Sequence, residues 1–148
     1  FHPLDGIGGW NVLYGPAGFV QYQFMVPPER GDVVEDTVEA IAGSGIPAFL
    51  AVLKRFGPGT PGPLSFAQSG WTLALDFPIG PRGLAPLLDS LDEMVAAAGG
   101  RVYLAKDARL RPELMPVMYP CLAEMAAVCR RIDPKGVLIS DLSLRLGL

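Results

Sequence analysis

With 148 residues the chain fits one ordinary domain, which can bury about 70% of its unfolded surface. Half of the residues are apolar and 18% are charged, so a packed core is within reach and wholesale disorder is not expected. A net charge of −3 argues against a nucleic-acid surface, and no apolar run approaches the roughly 18 residues of a membrane span.

The sequence opens without Met, and Phe1-His2-Pro3-Leu4-Asp5 lacks the basic-then-apolar order of a signal peptide, so it reads as a fragment starting inside a longer protein. Residues 1–16 read as an irregular lead-in rich in Gly, Pro and aromatics. In 17–26, Val20, Tyr22 and Phe24 alternate with Gln21 and Gln23, which predicts a strand with one buried face. Pro27 and Pro28 end it. Val34, Val38 and Ile41 then predict the inner stripe of a helix that stops at Gly43-Ser44-Gly45.

A second strand is expected over 47–56, with Phe49, Ala51 and Leu53 on the helix side and Leu50, Val52 and Lys54 opposite. After a Gly/Pro loop at 57–70, Trp71, Leu73, Leu75 and Phe77 alternate with Thr72, Ala74 and Asp76 in a third. Leu84, Leu87, Leu88, Leu91, Met94, Val95 and Ala98 make the clearest helical stripe, stopped by Gly99 and Gly100. Arg101–Ala105 reads as a short fourth strand, followed by helical stretches at Glu113–Met118 and Leu122–Ile132 and an apolar, Arg-containing tail. Cys121 and Cys129 are too far apart along one helix for a disulfide and read as buried thiols of a reducing compartment.

The order β-α-β-β-α-β predicts an α+β fold, a split βαβ or ferredoxin-like antiparallel sheet with helices on one face and a helical C-terminal segment. The third strand then lies between the first and second, so Gln21, Gln23, Lys54, Thr72 and Asp76 converge on the other face. Leu50, Val52 and Ala74 stand among them, which favours a face that something covers. The tail has little to pack on in such a unit, so Leu122, Met125 and Val128 should be exposed or buried against another copy.

Several chemical signals fail. Gly57-Pro58-Gly59-Thr60-Pro61-Gly62 matches G-x-G-x-x-G on paper, but its prolines and the lack of a following helix exclude a Rossmann phosphate turn. A single histidine, His2, and two isolated cysteines make no triad or zinc site. The chemistry narrows to the sheet face and to Tyr103-Leu104-Ala105-Lys106-Asp107. On these residues alone, a non-enzymatic ferredoxin-like binding or interaction module stays open.

Ordered motifs run through the chain: Phe1–Asp5, Trp10-Asn11, Tyr14-Gly15, Phe19–Phe24, Leu53–Pro58, Leu64–Phe66, Gly70-Trp71, Asp76–Pro78, Gly99–Tyr103, Ala105–Asp107, Tyr119-Pro120, Asp133-Pro134 and Ser140-Asp141. Together they resemble the decaprenylphosphoryl-ribose 2-oxidase family of FAD-linked, vanillyl-alcohol-oxidase-type flavoproteins. The resemblance implies that residues 1 to about 100 are the rear of a substrate domain, and that 101–148 return to an FAD-binding domain whose N-terminal part lies outside this chain. It implies oxidation of a secondary alcohol on a lipid-linked pentose, with FAD as cofactor in the whole protein and little activity in the fragment alone.

It also implies site roles. Lys106 matches the family lysine near the flavin, with Tyr103 beside it; Gln21, Gln23, Lys54 and Phe56 match positions lining the substrate pocket. Where the family's lipid-sugar oxidases carry Asn and Cys, this chain has Thr72 and Ala74, so substrate preference turns on those two. The expected partners are the N-terminal FAD-binding domain, the lipid-linked sugar and, for the fragment, itself. The expected location is the cytoplasm or the membrane periphery.

Overall fold

The computed structural model describes residues 6, 8, 9, 12 and 14–148; His2 and the Phe1–Asp5 and Trp10-Asn11 motifs lie outside the described residues. Four strands form one antiparallel sheet: β1 (Phe19–Val26), β2 (Leu50–Phe56), β3 (Gly70–Pro78) and β4 (Arg101–Val102), in the order β2-β3-β1-β4. Helix α1 (Asp32–Ser44) links β1 to β2 across β3, and α2 (Leu84–Ala97) links β3 to β4 across β1. This is the α+β, split βαβ architecture expected from the element order.

The alternation read in β1 and β3 decides the core. Tyr22, Phe24 and Val26 of β1 and Leu73, Leu75 and Phe77 of β3 are buried with Leu84, Leu88, Leu91 and Val95 of α2. Burying each large apolar side chain contributes roughly 1.5–3 kcal/mol, so this layer dominates the stability of the unit. Two glycines let it close. An added Cβ at Gly70 or Gly100 would stand 2.0 or 2.3 Å from a backbone carbonyl oxygen at the end of β1, too close for any side chain.

Several sequence expectations need correction. The deepest residues of α1 are Val33 and Thr37, both without exposure; Val34 and Ile41 pack against the core as expected, but Val38 is 53% exposed. The helix packs chiefly on α2, and that neighbour sets its rotation. The helix side of β2 is consequently uncovered: Ala51 and Leu53 are exposed, and Arg55 lies over the Trp71 ring at 5.2 Å. The fourth strand is two residues long, not five. Tyr103 N still donates to Gln23 O at 2.7 Å, but Leu104–Lys106 then turn as a 3-10 helix. Asp107 Oδ1 accepts the N–H groups of Arg109 and Leu110 at 2.9 and 2.7 Å, an Asx-type turn that carries the chain away from β1. Cys121 is half-buried and Cys129 exposed, because the helix bearing Cys129 has no covering layer.

A 3-10 turn at Pro112–Leu114 leads into α3 (Met115–Met118), then α4 (Leu122–Ile132) and α5 (Asp141–Leu146). Met115, Met118 and Tyr119 are buried, and the Tyr119 hydroxyl donates to Val102 O at 2.5 Å. Helix α4 has no fully buried residue, but Leu122, Met125 and Val128 are half-buried within the chain, not exposed as expected, with Leu122 against the core; Ile132 at its end and Val137, Leu138 and Ile139 beyond it are exposed. The apolar, Arg-containing tail holds a helix: α5 opens on a capping box between Ser140 and Ser143 and inserts Leu146 into the core. Among the described residues no helix is long and apolar enough to cross a membrane.

Candidate functional site on the sheet face

Strand register arranges the face opposite the helices in rows. Leu50 pairs with Asp76, which pairs with Gln21; Val52 pairs with Ala74, which pairs with Gln23; Lys54 pairs with Thr72, which pairs with Met25, itself opposite Arg101. The convergence expected of Gln21, Gln23, Lys54, Thr72 and Ala74 is thus present on one surface.

The polar groups are tied to one another. Gln23 Nε2 donates to Thr72 Oγ1 at 3.0 Å, and Thr72 Oγ1 donates to Phe24 O at 2.8 Å. At the far end Asp76, 4% exposed, accepts from Gln21 Nε2 at 3.0 Å and from the Tyr14 hydroxyl at 2.8 Å. The hydrogen bond to Asp76 raises the Tyr14 pKa above its ordinary value. Lys54 is exposed, and Ala74 and Val52 are half-buried between the two polar rows.

Beside the middle row the loop between β2 and β3 folds over the sheet. Phe66 stacks on Tyr103 with ring centroids 4.5 Å apart and meets Phe56 edge-on at 5.8 Å. Buried Arg101 donates to Ser65 O at 2.9 Å, which anchors the loop, and lies 5.2 Å over the Tyr119 ring. Burial lowers the Arg101 pKa and pushes Tyr119 up to about 12, so the Tyr119 hydroxyl stays a donor at any physiological pH. A hollow of about 340 Å³ results, lined by Gln23, Phe56, Ser65, Phe66, Ala67 and Tyr103.

Three of the sequence-selected residues, Gln23, Phe56 and Tyr103, therefore share one hollow. Thr72, Ala74 and Lys54 continue the same face by register, and Gln21 is turned to Asp76 at the other end. Lys106 stands off the sheet, half-buried in the 3-10 turn after Tyr103. Among the described residues no carboxylate comes within ion-pair distance of it. Sequence reading assigned no site role to Phe66, Arg101 or Asp76; the aromatic within Leu64-Ser65-Phe66 was the available signal for the first.

The segment carrying Tyr103 and Lys106 is held by two arginines. Arg109 pairs with Asp92 and, at 2.7 Å, with Asp89 of α2. Arg145 of α5 pairs with Asp107 Oδ2 at 2.7 Å and donates to Leu110 O at 2.8 Å. Asp92 has no exposure, and burial outweighs Arg109 to raise its pKa to about 6. The buried Tyr22 hydroxyl faces this carboxylate without completing a hydrogen bond. Among the described residues no group of three or more His, Cys, Asp or Glu could hold a metal ion.

The α+β sheet face thus carries an open hollow bordered by Phe56, Phe66 and Tyr103. Over all 148 residues the chain is 46% identical to the decaprenylphosphoryl-beta-D-ribose oxidase of Mycolicibacterium smegmatis, of which it spans 32%. It is also 46% identical over 145 residues to an uncharacterized protein from the mprA 5′ region of Streptomyces coelicolor, of which it spans 40%. The resemblance read from the motifs is borne out by these identities. The chain thus covers less than half the length of either relative. No protein-family model matches it.

Proposed function

We propose that this chain is the substrate-facing C-terminal part of an FAD-dependent oxidoreductase that oxidises a secondary alcohol of a lipid-linked, decaprenylphosphoryl-ribose-like sugar. The observation that carries the reading is the gathering of Gln23, Phe56 and Tyr103 around one hollow on a face continued by Lys54, Thr72 and Ala74. The 46% identity over all 148 residues to a third of a protein named as an oxidase of that sugar supports it.

The residues present fit a flavin. Phe66 and Tyr103, stacked on each other, border the hollow, and Lys106 is a half-buried ammonium with no carboxylate partner among the described residues. A flavin held there would supply the hydride acceptor for oxidation of the alcohol carbon. Tyr103 and Lys106 would hold it, the Lys106 ammonium supplying positive charge to offset the negative charge that reduction adds. Gln21, Gln23, Lys54, Phe56, Thr72 and Ala74 would hold the sugar and its phosphate: the carboxamides through hydroxyl hydrogen bonds, Lys54 through charge.

In this reading residues 1 to about 100 belong to the substrate domain, and 101–148 complete the flavin domain with the N-terminal part of the longer protein. Helix α4, which has no fully buried residue, and the exposed Ile132, Val137, Leu138 and Ile139 support a partner there. The test is to purify the full-length protein: near-stoichiometric flavin, bleached anaerobically by decaprenylphosphoryl ribose, is the expected result. A colourless protein, or a flavin that this sugar leaves oxidised, contradicts it.

A further inference from the structure

The loop between β2 and β3 that borders the hollow is closed on itself. A Cβ at Gly59 would stand 2.4 Å from Ala67 O, so the two ends of the loop lie in contact. Between them the Thr60 and Ser65 hydroxyls share a hydrogen bond at 2.8 Å, and Ser65 N donates to Gly62 O at 2.9 Å. A compact loop of this kind moves as one body. Its Phe66 stacks on Tyr103, but stacked rings keep much of their attraction when they slide, so that contact alone does not fix where the body sits.

The fixed point is one residue earlier. Arg101 stands opposite Met25, in the row that continues through Thr72 to Lys54, and two residues before Tyr103, so it rises from the site face. Its buried guanidinium lies over the Tyr119 ring at 5.2 Å and donates through Nη1 to Ser65 O at 2.9 Å. A planar guanidinium covers a ring with its face while donating from its edge, a pairing of contacts that a single ammonium does not match. Tyr119 is held in turn by its hydroxyl bond to Val102 O.

We propose that Arg101 is a positioning residue for the hollow: by holding Ser65 O it sets Phe66 against Tyr103 and fixes the width of the hollow before a ligand arrives. That the ligand is the sugar rests on the function proposed above; the placing of the loop does not. In that reading the bond also spaces the substrate-side wall, Phe56 and Phe66, from Tyr103 on the flavin side.

The experiment uses the full-length protein. Arg101→Met keeps the apolar stem and removes the donor. Hydrogen exchange read by mass spectrometry over Leu64–Ala67 should quicken by about tenfold or more, while β1 and β3 keep wild-type rates. KM for decaprenylphosphoryl ribose should rise severalfold with flavin content unchanged. Phe66→Leu should raise KM alike, and the double variant no further than the worse single, because both act through one contact. Arg101→Lys, which keeps a charge but not the planar fork, should fall between wild type and Arg101→Met, and serves alone if Arg101→Met does not fold.

Wild-type exchange of the loop in the variants that fold overturns the proposal. So does an equal loss of protection in β1 and β3, which makes Arg101 a core residue only, and so do KM effects of Arg101 and Phe66 that multiply independently. If the loop loosens as expected but the wild-type protein leaves the sugar unoxidised, the positioning role stands and the sugar reading falls.

Discussion

Gln23 and Thr72 are joined by a 3.0 Å hydrogen bond across β1 and β3, and the Thr72 hydroxyl in turn donates to Phe24 O at 2.8 Å. Two bonds in series thus hold a carboxamide at the edge of the hollow in one orientation. Because Thr72 is 1% exposed, no water can replace it there.

Thr72→Val removes both bonds at nearly constant volume and leaves buried polar groups unsatisfied, which costs about 1–3 kcal/mol. With Gln23 free to rotate, KM for the sugar should rise severalfold while kcat changes little. Urea unfolding and steady-state kinetics on the full-length protein check both. An unchanged KM removes Gln23 from the substrate contacts.

Asp92 carries a pH signature. Its folded pKa of about 6 lies above the unfolded value of 3.8, so between those values the folded state holds a proton that the unfolded state has lost. Stability is greatest at the acid end of that window and falls as pH rises through it, by roughly 3 kcal/mol for a shift of about two units. Asp92→Asn should flatten the dependence. Urea midpoints measured from about pH 4 to 7 read it directly, and an equal slope in wild type and variant contradicts the assignment.

Tyr119→Phe tests the link between α3 and β4. Losing the 2.5 Å bond to Val102 O, in a site without exposure, should cost about 1–2 kcal/mol, and KM should not move. A variant as stable as wild type shows that the carbonyl finds another donor.

The apolar stretch after α4 should make the isolated 148-residue chain self-associate. Sedimentation should show concentration-dependent association that Leu138→Asp combined with Ile132→Asp suppresses, since both side chains are at least 69% exposed. A monomer at all concentrations removes this surface as a docking face.

The sheet was legible in the sequence because a period of two admits one assignment of faces: Val20-Tyr22-Phe24 and Leu73-Leu75-Phe77 could only be the buried side. That alone brought Gln23, Thr72 and Ala74 together. The rotation of α1 was legible only in part: Val34 and Ile41 do pack on the core, but Val33 and Thr37 lie deepest and Val38 turns out, a choice that the helical period leaves open. The early end of β4 depends on the Asp107 side chain taking backbone N–H groups, a local competition that the apolar pattern does not record. The Arg109–Asp92 and Arg145–Asp107 pairs join residues far apart in the chain, and only the fold brings them together.

The most direct test of the central claim is anaerobic flavin reduction by the lipid-linked sugar in full-length wild type and Lys106→Met. Met retains the length and apolar bulk of Lys, so folding and flavin content should persist. Removing one charge-stabilising group costs about 10²–10³ in rate, or roughly 3–4 kcal/mol of barrier. The account expects a loss of that size with flavin still bound; reduction at the wild-type rate would make Lys106 an ordinary lysine of a surface turn and contradict it.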